Sequence, residues 1–159
     1  MDYNIFDHIN TDFRPAEGES AQAYMERLFT AACQNDVGTR RVNDMLAPRF
    51  FACDAAAKSL TLEFPPQDWM LNSKSTLHGG VISTALDMTM GILSRYCKGV
   101  EDVSTVTLNV HFLRAGLEGR AFRVRAQAEK IGHRVIFQRA ELTDSETGTL
   151  IADATATFM

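Results

Sequence analysis

Two features within residues 71–88 carry chemistry. His78-Gly79-Gly80 opens a run with the length and apolarity of a buried helix, and Asp87 is the one acid within it. Glycines in a first turn weaken a helix but let another molecule approach its free N–H groups closely. Those N–H groups, aided by the helix dipole, suit a developing negative charge. A carboxylate on an apolar helix is penalised unless something binds it, and it can serve as a nucleophile or as a general base on water. The residues alone leave that choice open, but donor and carboxylate together have the profile of a reaction site.

The elements that must position them follow from periodicity. Val81, Ile82, Ala85, Leu86, Met88, Met90, Ile92 and Leu93 surround the expected helix from about Gly79 to Tyr96 on most of its circumference, so something must wrap it. Upstream, Ala21, Tyr24, Met25, Leu28, Ala31 and Ala32 predict a surface helix between Glu19 and Gln34. The stretch Thr39 to Pro65 reads as strand, with Leu60, Leu62 and Phe64 alternating with Thr61 and Glu63. Four more strands follow, beginning near Thr105, Phe122, Arg134 and Leu150, and their short turns predict an antiparallel meander. An α+β domain results, one long helix covered by a curved antiparallel sheet of about six strands, with an extra N-terminal helix. Residues 1–38 form the arm and helix, and residues 39–159 the main domain.

Composition narrows the function. The chain has 159 residues, 45% of them hydrophobic, enough for one ordinary core. A net charge of −4 argues against nucleic-acid and anionic-membrane partners, which need a clustered basic face. Cys33, Cys53 and Cys97 are odd in number and widely spaced, as in a reduced, cytoplasmic protein, and neither a signal peptide nor a spanning segment is apparent. No metal or redox cofactor is expected.

Two strands, a buried helix opening with His-Gly-Gly and then four strands resembles the hotdog fold, and in detail the acyl-CoA thioesterases of the phenylacetate-pathway (PaaI-like) type. The matching residues are Asn72, six positions before His78; Gly79 and Gly80; Asp87, nine positions after His78; the strand Ser104 to Arg114; and Gly148 to Ala152. The resemblance covers roughly residues 40 to 159. It implies hydrolysis of an acyl-CoA thioester, with the Gly80 N–H polarising the carbonyl and Asp87 as nucleophile or base. It also implies that Asn72 and Thr105 orient water or substrate, while His78 fixes the loop and Gly79 leaves room for substrate. Lys130 and Arg134 are the cations assigned to the phosphates of coenzyme A.

Plainer readings stand beside these. Asn72 suits an ordinary turn, and strict alternation puts Thr105 on the face opposite Val106, Leu108 and Val110, where it would meet solvent. His111 on that same face matches no catalyst and reads as a surface or interface residue. Geometry adds a constraint: Gly80 and Asp87 are seven residues apart, ~10.5 Å along a helix. Side chains lean toward the N-terminus and recover only part of that distance. One helix therefore cannot easily bring both to one carbonyl, whereas an isologous dimer can do so twice; the resemblance implies a homodimer or homotetramer. The alternative function is a non-catalytic acyl-CoA-binding sensor, which would have no need of the acid.

Overall fold

The computed structural model describes residues 14–34, 38–100 and 102–159; the polar arm expected before residue 14 lies outside them. The central element is α3 (Gly79–Lys98), with ten of its residues buried and Gly99 closing it in the left-handed region at φ 62°. Around it runs one antiparallel sheet of β1 (Arg49–Asp54), β2 (Ser59–Phe64), β3 (Thr105–Phe112), β4 (Phe122–Ile131), β5 (Ile136–Asp144) and β6 (Leu150–Phe158). Every second residue of the inner strands meets α3: Leu60, Leu62 and Phe64; Phe122, Val124 and Ala126; Ala140 and Leu142; Ala152, Ala154 and Ala156. Small residues on β6 let the helix lie close. Gln138 of β5 donates from Nε2 to the Met90 carbonyl at 2.8 Å and to Ser94 Oγ, fastening the helix to the sheet from within the core.

The strand order is β1-β2-β4-β5-β6-β3. This corrects the expected meander: β4, β5 and β6 form one, but β3 crosses to the far edge and pairs with β6. The tight turns after β4 and β5 enforce neighbours, whereas residues 113–121 between β3 and β4 are long enough to cross the end of the sheet. A further departure is α2 (Val42–Leu46), a short helix within the stretch expected to be strand, closed by Ala47 in the left-handed region.

The expected N-terminal helix is α1 (Ala21–Gln34). Ser20 Oγ accepts from Ala23 N at 3.1 Å, and Tyr24, Met25, Leu28 and Phe29 form its buried face. Tyr24 and Phe29 both lie against Tyr96 of α3, with ring centroids 5.7 and 5.6 Å away. Glu19 accepts from Arg27 and from the Ala16 N–H, which hold its pKa down to about 2.

Candidate active site

Asp87 lies in the middle of α3, half-buried, and lines a cleft of about 320 Å³ between that helix, α2 and the first residues of β3. Thr105 Oγ1 donates to Asp87 Oδ1 at 2.8 Å. Strict alternation would have turned Thr105 outward. A bulge between Thr105 and Thr107 prevents this: Thr105 pairs with the inward-facing Phe158, while Thr107 pairs with Thr157 on the outer face. The extra residue, Val106, changes the parity and aims one hydroxyl at the carboxylate.

The other end of α3 is a closed network. Asn72 Oδ1 accepts from the N–H of Lys74 at 2.8 Å and from that of Thr76, while its Nδ2 donates to Thr76 Oγ1 at 2.9 Å. The loop is tied to its surroundings by His78 N to Met70 O at 2.8 Å and Leu77 N to Gly116 O at 2.9 Å. All the Asn72 side-chain bonds stay inside residues 72–76, so within one chain its place is that of a loop former and it does not line the Asp87 cleft.

His78 caps α3, accepting from the Gly80 N–H on Nδ1 at 2.9 Å, and in the neutral ring this leaves the proton on Nε2. The Gly80 N–H, expected to polarise a carbonyl, is engaged by this acceptor in the single chain. The Gly79 N–H, one residue earlier, has no acceptor among the described residues. A Cβ at Gly79 would lie 3.3 Å from the Phe112 ring, so glycine there allows the last residue of β3 to sit against the helix start.

Lys130 and Arg134 lie at the β4–β5 hairpin near the C-terminus of α3, where Lys98 Nζ donates to the carbonyls of His133 and Arg134; neither lines the cleft. His111 Nδ1 contacts Asp153 Oδ1 at 2.6 Å on the outer face. The cleft also holds residues that the motif does not reach, Gly91 and Arg95 among them. Their signals were a glycine inside a helix, costing about 1 kcal/mol against alanine, and a cation eight positions after the acid. A second cavity, of about 240 Å³, is lined by Met70, Leu77, Leu117, Phe122 and Ile151, with Arg120 and Asp144 also on its wall. The Thr147 N–H, with that of Glu146, holds the Asp144 carboxyl below the usual carboxylate range.

A wrapped helix with a glycine start, a carboxylate in mid-helix and a strand hydroxyl on that carboxylate defines a hotdog protein with a hydrolase-type site. The sequence model of the Thioesterase superfamily matches residues 74–151, which include both ends of this site. The medium/long-chain acyl-CoA thioesterase YigI of Escherichia coli K12 is 35% identical over 114 residues, spanning 62% of this chain and 72% of that protein. Mouse acyl-coenzyme A thioesterase 13 is 28% identical over 111 residues, covering 69% and 78%. Among solved structures, a phenylacetic acid degradation-related protein of Ralstonia eutropha JMP134 is similar at 32% identity and TM-score 0.69, covering 83% of this chain and 98% of that one. The PaaI protein of E. coli shares the fold, with TM-score 0.72 over 87% of this chain and 94% of that one, at 17% identity. The chain belongs to the thioesterase superfamily, in its PaaI-like hotdog branch, and is a thioester hydrolase.

Proposed function

We propose that this hydrolase acts on acyl-CoA, releasing free acid and coenzyme A at a site that two copies of the chain complete together. One observation carries the shared site. Strand β3 is an open edge of the sheet, with Thr105 against Asp87 at one end and Phe112 against Gly79 at the other. Both contacts are on its inner face, since Phe112 pairs with buried Ala152 and Thr105 with Phe158. Antiparallel pairing of β3 with the β3 of a second copy, centred on Asn109, keeps inner faces together, and the bulge at Val106 then sets Thr105 opposite the partner's Phe112. Asp87 of one chain then faces the Gly79 N–H of the other, and symmetry repeats the arrangement. The edge suits such pairing: Val106, Phe112 and Leu113 are 53%, 55% and 47% exposed in the single chain.

In this site the partner subunit's Gly79 donates to the thioester carbonyl oxygen as charge develops on it. Thr105 holds the Asp87 carboxylate toward the carbonyl carbon. Asp87 either adds to that carbon, giving an anhydride that water opens, or takes a proton from water as it adds. In both routes the C–S bond breaks, the sulfur leaves as thiolate and takes up a proton, and the acyl carbon gains one hydroxyl from water. The loop held by Asn72 and His78 fixes the donor in place. Lys130 and Arg134 are the cations offered to the phosphates of coenzyme A.

Thiol release from a panel of aryl-, medium- and long-chain acyl-CoAs tests this reading. Burial raises the thiols of Cys33 to about 12 and of Cys53 and Cys97 to about 11, so the protein adds little background to a thiol reagent at pH 8. Turnover of at least one class is expected. Tight binding without turnover of any would replace the hydrolase by an acyl-CoA sensor.

A further inference from the structure

We infer that Arg95 makes the cleft selective for acyl groups that carry a carboxylate at their far end; this rests on the acyl-CoA reading above and names its substrate class. Asp87 and Arg95 line the same cleft. Eight residues of helix separate them, ~12 Å along the axis, and the arginine side chain leans back toward Asp87, which leaves room for an acyl chain of roughly six to eight carbons. Met88 and Ile92 of α3, Val103 before β3 and Phe158 of β6 supply the cleft's apolar lining, beside the polar Asn43 and Thr84. Gly91 adds open space at the midpoint, since a Cβ there would meet nothing closer than the Phe158 ring at 3.5 Å.

The Arg95 end of the cleft is unusual. The Arg95 side chain is half-buried and forms no ion pair or hydrogen bond among the described residues, although the protein carries more acids than bases. Arg27, Arg120, Arg123 and Arg139 all have carboxylate partners. A half-buried guanidinium without a partner is costly, and an incoming carboxylate meets it with two parallel hydrogen bonds. An acyl chain ending in a methyl group would instead leave the cation desolvated. The selectivity therefore has an attractive component and a repulsive one.

Suberyl-CoA and octanoyl-CoA, equal in length and differing in the terminal carboxylate, isolate the effect, with the corresponding acyl-pantetheines as substrates lacking the nucleotide. Wild-type kcat/KM should favour the suberyl thioester. R95Q should lower the suberyl-to-octanoyl ratio on the order of 10- to 100-fold, the worth of a charge-assisted hydrogen bond, and R95K should restore part of it. The ratio should shift equally with the pantetheine thioesters. Equal losses on both acyl groups would overturn the inference and assign Arg95 to the subunit interface. A loss confined to the CoA thioesters would also overturn it, placing Arg95 at the phosphates. Calorimetric binding of the two CoA thioesters to D87N reads the same ratio without turnover. If no thioester is hydrolysed but the binding ratio falls in D87N/R95Q, the hydrolase reading fails while the Arg95 assignment stands.

Discussion

The proposed site has two halves, at opposite ends of β3, and they are built differently. At the Thr105 end a single hydroxyl holds the Asp87 carboxylate at the mouth of an open cleft. At the Phe112 end, side-chain and backbone hydrogen bonds among Asn72, Lys74, Thr76, His78 and Gly80 fix a loop before any substrate arrives. The contrast matches the two tasks. An oxyanion donor is most effective when it needs no reorganisation during reaction, whereas a carboxylate that attacks carbon or takes a proton must keep room to approach its target. The expected consequence is that changes at the Asp87 half appear in kcat, and changes in the loop appear first in stability.

The largest effect belongs to Asp87. D87N keeps shape and removes the charge, so kcat should fall by at least ~10²-fold with acyl-CoA binding nearly intact. Steady-state kinetics beside calorimetric binding check both parts; turnover above about a tenth of wild type would remove Asp87 from the chemistry. Thr105 comes next. T105V should cost kcat roughly 10- to 100-fold, the range of one hydrogen bond to a charged group, and T105S should recover most of it, since only the hydroxyl meets Asp87. At the other half, H78A removes the α3 cap and should lower unfolding stability by about 0.5–2 kcal/mol in a denaturant titration, with a smaller change in kcat than T105V gives. A kcat loss larger than that of D87N would turn the comparison around and make the loop the chemical half.

The smallest effect lies outside the site and serves as a control on the N-terminal helix. Glu19 has its pKa lowered from 4.5 to about 2 by the hydrogen bond from Arg27 and that from the Ala16 N–H. A depressed carboxylate stabilises the fold above its unfolded pKa, and that contribution is lost as pH falls from about 4.5 toward 2. E19Q should therefore narrow its stability gap to wild type over that window, with catalysis at neutral pH unchanged. A gap independent of pH would deny the Arg27 pairing any role.

Much of this arrangement is legible in the residues. Apolar positions around α3 demand a wrapping sheet, and the alternation in β4 and β6 marks the face that supplies it. Asp87 and the glycines that open α3 stood out as candidates as well, because both are costly in a helix that has no use for them. What stayed hidden depends on single insertions and single hydrogen bonds. The bulge at Val106 adds one residue, leaves the local pattern intact and reverses the side on which Thr105 sits. His78 is not among the ordinary capping residues, so nothing in the spacing separates the occupied Gly80 N–H from the open one at Gly79. The position of β3 at the edge depends on the span of residues 113–121, and loop length alone does not say where a strand lands.

The central claim, a site shared by two chains, has a direct test in the geometry of the helix start. Gly79 is the first residue of α3, where proline is well tolerated and removes an N–H that the helix does not use; G79A, which adds the same Cβ 3.3 Å from the Phe112 ring but keeps the N–H, is the control for that contact. His78 already has the extended conformation that a following proline requires, with φ −67° and ψ 135°. G79P and D87A homodimers should each be nearly inactive. After reversible dissociation and mixing in equal amounts, half of the dimers should be mixed, each with one intact Gly79–Asp87 pair, so about a quarter of wild-type activity should return. If mixed dimers verified by mass spectrometry stay as inactive as their parents, donor and carboxylate act within one chain and the shared-site account is wrong.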